Sequence, residues 1–345
     1  AEMRKIIALD LPFTKKRHTL EEAAHYFHLC NETDKEKLLE YRVNDWFDLY
    51  ECNGMKAYFY GAMLPSTGRC SVFSLRLVSP GMVLQLPSPE DISKPAPFIP
   101  RPRHMAVFEQ SNQWLRVMKC TNIADMNQLI LNGHFREMIR VNEALHDRSI
   151  SSIAQSIIAS QAKAIFIAGP SSSGKTTFAN RLCIHLNTYG EKPLLLSMDD
   201  FYLNRSSIPL EPDGSVDLEA IHTLDLPLMQ NCITRLISGK EADLPTFDFR
   251  TGTRNSKTTR TRLKKGQLLV VEGIHALNPS IYEAFDRRLI ALVYISELTC
   301  INLDNHNRIR TTDARLLRRI VRYRITLMLR LKREVLIFRR YCRRH

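Results

Sequence analysis

Gly169-Pro170-Ser171-Ser172-Ser173-Gly174-Lys175-Thr176 fits the pattern G-x-x-x-x-G-K-[ST], and its flanks decide what the pattern means. Before it, Ala164-Ile165-Phe166-Ile167-Ala168 is a short continuous apolar run of the kind that forms a strand buried on both faces. After it, Thr177 to Leu186 reads as an amphipathic helix with Phe178, Leu182, Cys183 and Leu186 on one side. Strand, glycine-rich loop and helix together make an anion site. Backbone N–H groups converge on phosphate oxygens, and the helix N-terminus adds partial positive charge. Lys175 then reaches the β- and γ-phosphates, the Thr176 hydroxyl is a Mg²⁺ ligand, and Gly169 through Thr177 form the nucleotide cradle. The chain is expected to bind ATP with Mg²⁺.

Working outward, the pattern alternates. Lys192–Ser197 reads as a second strand, Gln267–Val271 as a third and Leu289–Ile295 as a fourth, with helices expected at 217–237, 278–286 and from 311 onward. Such alternation implies a parallel sheet. The fold class expected is α/β, a P-loop NTPase-type parallel sheet with flanking helices, preceded by a smaller α+β N-terminal domain. In that first block, Leu20–Leu29 and Asp34–Tyr41 read as helices, and Lys56–Tyr60 and Met82–Leu86 as strands. The proline-rich stretch from Pro87 to Pro102 reads as a linker or extended arm, and Asn122–Gln161 as largely helical. The domains expected are 1–105, an α+β extension; 106–162, a linker and helical brace; 163–322, the nucleotide-binding domain; and 323–345, a basic tail.

Composition narrows the function classes. Of the net charge of +13, the segment 314–345 holds twelve basic residues against Glu334 alone, a surplus of +11, which leaves +2 for all the rest. A basic, polyanion-binding body is therefore not expected, nor is a nucleic-acid partner. No apolar run reaches the length of a membrane span, and the first residues lead into no signal-peptide core. The eight cysteines include no C-x-x-C pair, which points to reduced thiols and a cytoplasmic location. Homo-oligomerisation is left open.

Two carboxylates stand where chemistry needs them. The second strand runs into Asp199-Asp200-Phe201-Tyr202, and ligands of open α/β sheets sit outside the carboxyl ends of the strands. Asp199 can accept a proton from an attacking hydroxyl or help hold the metal. The third strand runs into Glu272, placed for a Mg²⁺-linked role. Asp217 opens a helical pattern, where N-capping is the default. Phe247-Asp248-Phe249, with Arg250 and Arg254 after it, can stack on a planar ligand and steer an anion. Arg315, Arg318, Arg319 and Arg322 form a basic stripe that can offset charge on a transferring phosphoryl group.

These segments, in this order, resemble uridine kinases and their phosphoribulokinase relatives over 163–322. The resemblance is nearest to bacterial uridine-kinase-like proteins with a threonyl-tRNA-synthetase-related N-terminal extension. Tyr58-Phe59-Tyr60-Gly61 with Leu64–Gly68, and Asn305–Ile309, resemble that subgroup. The small TGS domain that usually opens such proteins is not visible, so the chain is expected to begin inside the extension. The resemblance implies phosphoryl transfer from ATP to the 5′-hydroxyl of a nucleoside or a related small alcohol. It implies Asp199 as general base, Asp217 on the ribose hydroxyls, Tyr202, Phe247 and Phe249 around the base, and Glu272 serving the metal beside Thr176 and Asp199. Arg319 would contact sugar or phosphate, with Arg322 nearby, both in catalytic roles. Two departures stand out. Gly252 occupies the place of a base-reading histidine, and Tyr323 replaces the Asp that follows the arginine stripe before a mobile lid. A truncated or altered lid is the expectation there. A sugar-phosphate kinase, a nucleotide-sensing or RNA-associated module, and a membrane-surface tail built on Ile325, Met328, Leu329, Val335, Leu336 and Phe338 are the alternatives.

Overall fold

A computed structural model describes residues 2–59, 61–79, 81–210, 214–296 and 301–331. The basic tail expected over 323–345 lies outside the described residues from 332 onward, as does Tyr60 of the Tyr58–Gly61 motif. The chain packs as two units, one of residues 1–135 with 301–308, the other of 136–300 with 309–345.

The first unit is α+β. Strands Thr14–Thr19, Trp46–Cys52 and Met55–Ala57 form an antiparallel sheet, and helices Leu20–Leu29 and Thr33–Leu39 cover it. Thr19 starts the first of these helices with a reciprocal capping box to Glu22. Ala23, Phe27, Leu39, Phe47, Leu49 and Tyr58 close the core. Tyr58 is drawn into that core, so the expected strand Lys56–Tyr60 stops at Ala57. The proline-rich stretch needs a correction as well. Pro87–Ser88 pairs with Asp91–Pro95 as a hairpin, and Pro102 opens the helix Pro102–Val117. Proline is disruptive inside a helix or central strand, but a two-strand edge and a first helical turn both accept it.

The second unit carries the parallel sheet. Its strands are β1 (Ala164–Ala168), β2 (Leu194–Ser197), β3 (Leu269–Glu272) and β4 (Ile290–Tyr294), in the spatial order β4-β1-β3-β2. Alternate residues of β1 feed two cores. Ile165 and Ile167 pack against the helices α1 (Phe135–Ala159) and α2 (Lys175–Thr188) through Ile150, Ile157, Leu182 and Leu186. Phe166 faces the other way, with Met229, Ile233 and Leu236 of α3 (Leu226–Ile237). Every residue of β1 is buried, as the unbroken apolar run requires. Each fully buried large side chain contributes about 1.5–3 kcal/mol.

The helix expected over 217–237 begins only at Leu226. Asp225, not Asp217, is its N-cap, accepting from the Leu228 backbone N–H at 3.1 Å, and Pro227 presets the first turn. The helix from 311 is α4 (Thr311–Leu331). Because all four strands run parallel, their carboxyl ends gather the loop after β1, Asp199 after β2 and Glu272 at the end of β3 along one edge. Ligands of open α/β sheets bind in the crevice outside such an edge.

Candidate active site

The loop folds as its glycines and serines require. Gly174 sits at φ +94° as N-cap of α2, a conformation that a Cβ would strain. Ser172 adopts φ +63°, the left-handed region that non-glycine residues enter chiefly where the surroundings hold them. The hydroxyls of Ser172 and Ser173 are buried and make no hydrogen bond among the described residues. Buried polar groups are normally satisfied, so these two suit an anionic ligand that supplies acceptors. Lys175 Nζ donates to the Pro170 carbonyl at 3.2 Å, which folds the lysine back over its own loop.

Glu272 is buried at the end of β3, and its Oε1 accepts from two hydroxyls, Thr176 and Ser197, each at 3.2 Å. Thr176 and Glu272, both expected from the sequence, are thus brought together; Ser197 is an addition that only the parallel register could supply, since it pairs directly with Glu272. Among the described residues no three of His, Cys, Asp and Glu cluster as a metal site. A hydroxyl beside a carboxylate still fits Mg²⁺, which takes one or two protein oxygens and completes its shell with phosphate and water.

Asp199 is half-buried and its carboxyl is raised above the ordinary range. Burial is the main cause, the neighbouring Glu272 and Asp200 add to it, and Lys175 opposes. The Tyr202 phenol is pushed up to about 12 by burial and by the charges of Asp199 and Glu219. Asp199 is therefore coupled electrostatically both to the loop lysine and to Tyr202 of the aromatic cluster.

That cluster is compact. Phe247 and Phe249 lie 5.2 Å apart, and Tyr202 stands 5.8 Å from Phe247 and 6.3 Å from Phe249, all as tilted or edge contacts. Asp200 anchors it by accepting the Phe247 backbone N–H at 3.3 Å. The three rings, with Leu203, Arg205 and Leu218, line a cavity of about 130 Å³. Arg254 turns out to be a brace. Its guanidinium donates to the carbonyls of Phe201 and Tyr202 at 3.2 and 3.1 Å and pairs with Asp225 at 3.1 Å. That leaves anion steering to other residues; Arg250 extends into solvent.

Asp217 is exposed, accepts from the Glu219 backbone N–H at 2.9 Å, and does not line the aromatic cavity. In the arginine stripe, Arg318 and Arg322 line a cavity of about 540 Å³ with Ser172, Lys175 and Thr176, while Arg319 is exposed and does not. Arg318 Nε donates to the Ser172 carbonyl at 3.1 Å. A stripe of four arginines does not announce in sequence which of them turns to the loop.

Comparison with known proteins bears on this domain. The sequence model of the Phosphoribulokinase / Uridine kinase family matches residues 164–315. The chain is 30% identical over 113 residues to the uridine kinase of Lactobacillus helveticus, covering 33% of this chain and 52% of that protein. It is 32% identical over 114 residues to the uridine kinase of Deinococcus deserti, covering 33% and 53%. With the uridine kinase of Streptococcus gordonii the identity is 31% over 158 residues, covering 46% of this chain and 66% of that protein. The chain spans about half the length of the first two relatives. Among the described residues no helix is long and apolar enough to cross a membrane.

Proposed function

Residues 164–315 form a domain of the Phosphoribulokinase / Uridine kinase family, and from that premise we propose that the protein transfers the γ-phosphoryl group of ATP to the 5′-hydroxyl of a nucleoside. The observation that carries the reading is the placement of Asp199 two residues beyond the carboxyl end of β2, where its carboxyl feels Lys175 and Glu272 and itself acts on the Tyr202 phenol.

Gly169 to Thr177 bind the triphosphate through backbone N–H groups, and Lys175 leaves the Pro170 carbonyl to neutralise the β- and γ-phosphates. Thr176 and Glu272 would hold the Mg²⁺, which would offset phosphate charge. Asp199 takes the proton of the acceptor hydroxyl as the new O–P bond forms and the bond to the β-phosphate oxygen breaks, releasing ADP. Arg318 and Arg322 stabilise the charge on the transferring group. Tyr202, Phe247 and Phe249 bind the planar base. Catalysis of this type is mainly positioning and charge stabilisation.

Product analysis tests the reading. With Mg²⁺–ATP and a nucleoside, ³¹P NMR should show a 5′-monophosphate and ADP in equal amounts, and neither with Lys175→Ala. ATP hydrolysis to inorganic phosphate, with the nucleoside left unmodified, would overturn it.

A further inference from the structure

A single serine stands between the two carboxylates of the site. Ser197 ends β2 and pairs in parallel register with Glu272, which ends β3. Its Oγ donates to Glu272 Oε1 at 3.2 Å. The same oxygen accepts the Asp199 backbone N–H at 3.4 Å, at the start of the short 3₁₀ turn Met198–Phe201. A hydroxyl has one proton to give and lone pairs with which to accept, so both bonds form at once. Ser197 Oγ thus joins the carboxylate placed for the metal to the backbone that carries the base.

The packing around it is close. Met198 is buried against Gly273, and a Cβ on Gly273 would lie 2.6 Å from the Met198 Cβ. The ends of β2 and β3 therefore approach each other because residue 273 has no side chain. Glu272 Oε1 also accepts from Thr176, at 3.2 Å. The two hydroxyls come from different elements, one from the end of β2 and one from the first turn of α2. A carboxylate held from both cannot rotate without breaking one of the bonds, so the pair fixes the orientation of a buried acid.

We propose that Ser197 is a positioning residue for phosphoryl transfer: it orients the Glu272 carboxyl group and, through the Asp199 backbone, sets the base against it. The proposal rests on the kinase reading and deepens it by naming the group that couples the metal carboxylate to the base. Ser197 acts through its neighbours. Removing its hydroxyl should weaken metal binding and slow transfer together, while acceptor binding, which runs through Tyr202, Phe247 and Phe249, is left alone.

The test measures Mn²⁺ binding to the full chain by electron paramagnetic resonance, with a β,γ-imido analogue of ATP present, beside steady-state kinetics with Mg²⁺–ATP and a nucleoside. Ser197→Ala should weaken Mn²⁺ binding about tenfold and lower kcat about tenfold, the scale seen when a group supporting a metal ligand is lost. KM for the nucleoside should change little, and thermal unfolding should stay cooperative. Ser197→Thr keeps the hydroxyl and should restore both losses, and Ser197→Cys, whose thiol donates weakly, should fall between. Added to Glu272→Ala, the Ser197→Ala change should weaken Mn²⁺ no further, because the serine acts through that carboxylate. Undiminished Mn²⁺ binding in both Ser197→Ala and Ser197→Cys, or fully additive losses in the double variant, overturns this inference and leaves the kinase reading intact. If Ser197→Ala weakens Mn²⁺ as expected but the wild type phosphorylates no acceptor, the kinase reading falls and the role of Ser197 toward Glu272 stands.

Discussion

The Thr176 hydroxyl donates to Glu272 Oε1 across 3.2 Å, tying the first turn of the loop helix to the carboxyl end of the central strand β3. The two residues are ninety-six positions apart and meet only because β3 pairs in register with β1, Glu272 opposite Ile167. Glu272→Gln preserves the shape and removes the charge. The Mg²⁺ concentration for half-maximal rate should rise about 10–100-fold, with little change in thermal unfolding. A Mg²⁺ titration checks it, and an unaltered midpoint would contradict a metal role for Glu272.

Asp199 should trade stability for function. Its carboxyl is raised by burial, then by Glu272 and Asp200, so between the ordinary value of 3.8 and the higher folded value the native state binds more protons than the unfolded chain. Stability from this group therefore falls as pH rises through that window and stays lower at neutral pH. Asp199→Asn should unfold at a higher temperature than wild type at pH 7, with the gap closing at acid pH. Turnover should drop about 10²–10⁴-fold. In the wild type, kcat/KM should climb as pH rises through the raised Asp199 value. Calorimetry and a pH–rate profile together check both signs.

Arg254 holds the segment that carries Tyr202. Removing the side chain deletes its bonds to the Phe201 and Tyr202 carbonyls and to Asp225, although Phe201 keeps the Asp225 backbone N–H and Asp225 keeps that of Leu228. Arg254→Ala should cost about 1–3 kcal/mol in urea unfolding. Arg254→Lys should recover part of that, because one ammonium cannot span the same fork.

The arginine stripe separates by orientation. Arg318 lines the loop cavity and donates to the Ser172 carbonyl, whereas Arg319 is exposed outside it. Arg318→Ala should raise KM for ATP roughly tenfold, the scale of one charge-assisted hydrogen bond. Arg319→Ala should stay within about twofold. Equal effects from the two would contradict the assignment of the inward face of α4.

The parts of this site that local sequence encodes are legible in the chain itself. The run Ala164–Ala168 is apolar at every position because it is buried on both faces, and the loop pattern follows it directly. Asp199 and Glu272 stand out as acids at the ends of apolar strands. What stays hidden in the sequence depends on distant partners. Asp217 reads as the helix cap, whereas Asp225 takes that place, with Pro227 in the first turn. Arg205 looks like any exposed arginine until Gly252, forty-seven residues on, leaves room for it. Ser197 gains a role only through its register with Glu272. The prolines from Pro87 to Pro102 signal irregular chain, yet edge pairing and a helix start absorb them.

The most direct test of nucleoside phosphorylation is acceptor-stimulated ADP release with Mg²⁺–ATP, measured across nucleosides and small alcohols, beside Lys175→Ala and Asp199→Asn. Stimulation by a nucleoside, abolished in Lys175→Ala and reduced at least about a hundredfold in Asp199→Asn, is the result predicted. ATP binding without stimulation by any acceptor would contradict it, and would leave the loop as a nucleotide-binding element without transfer.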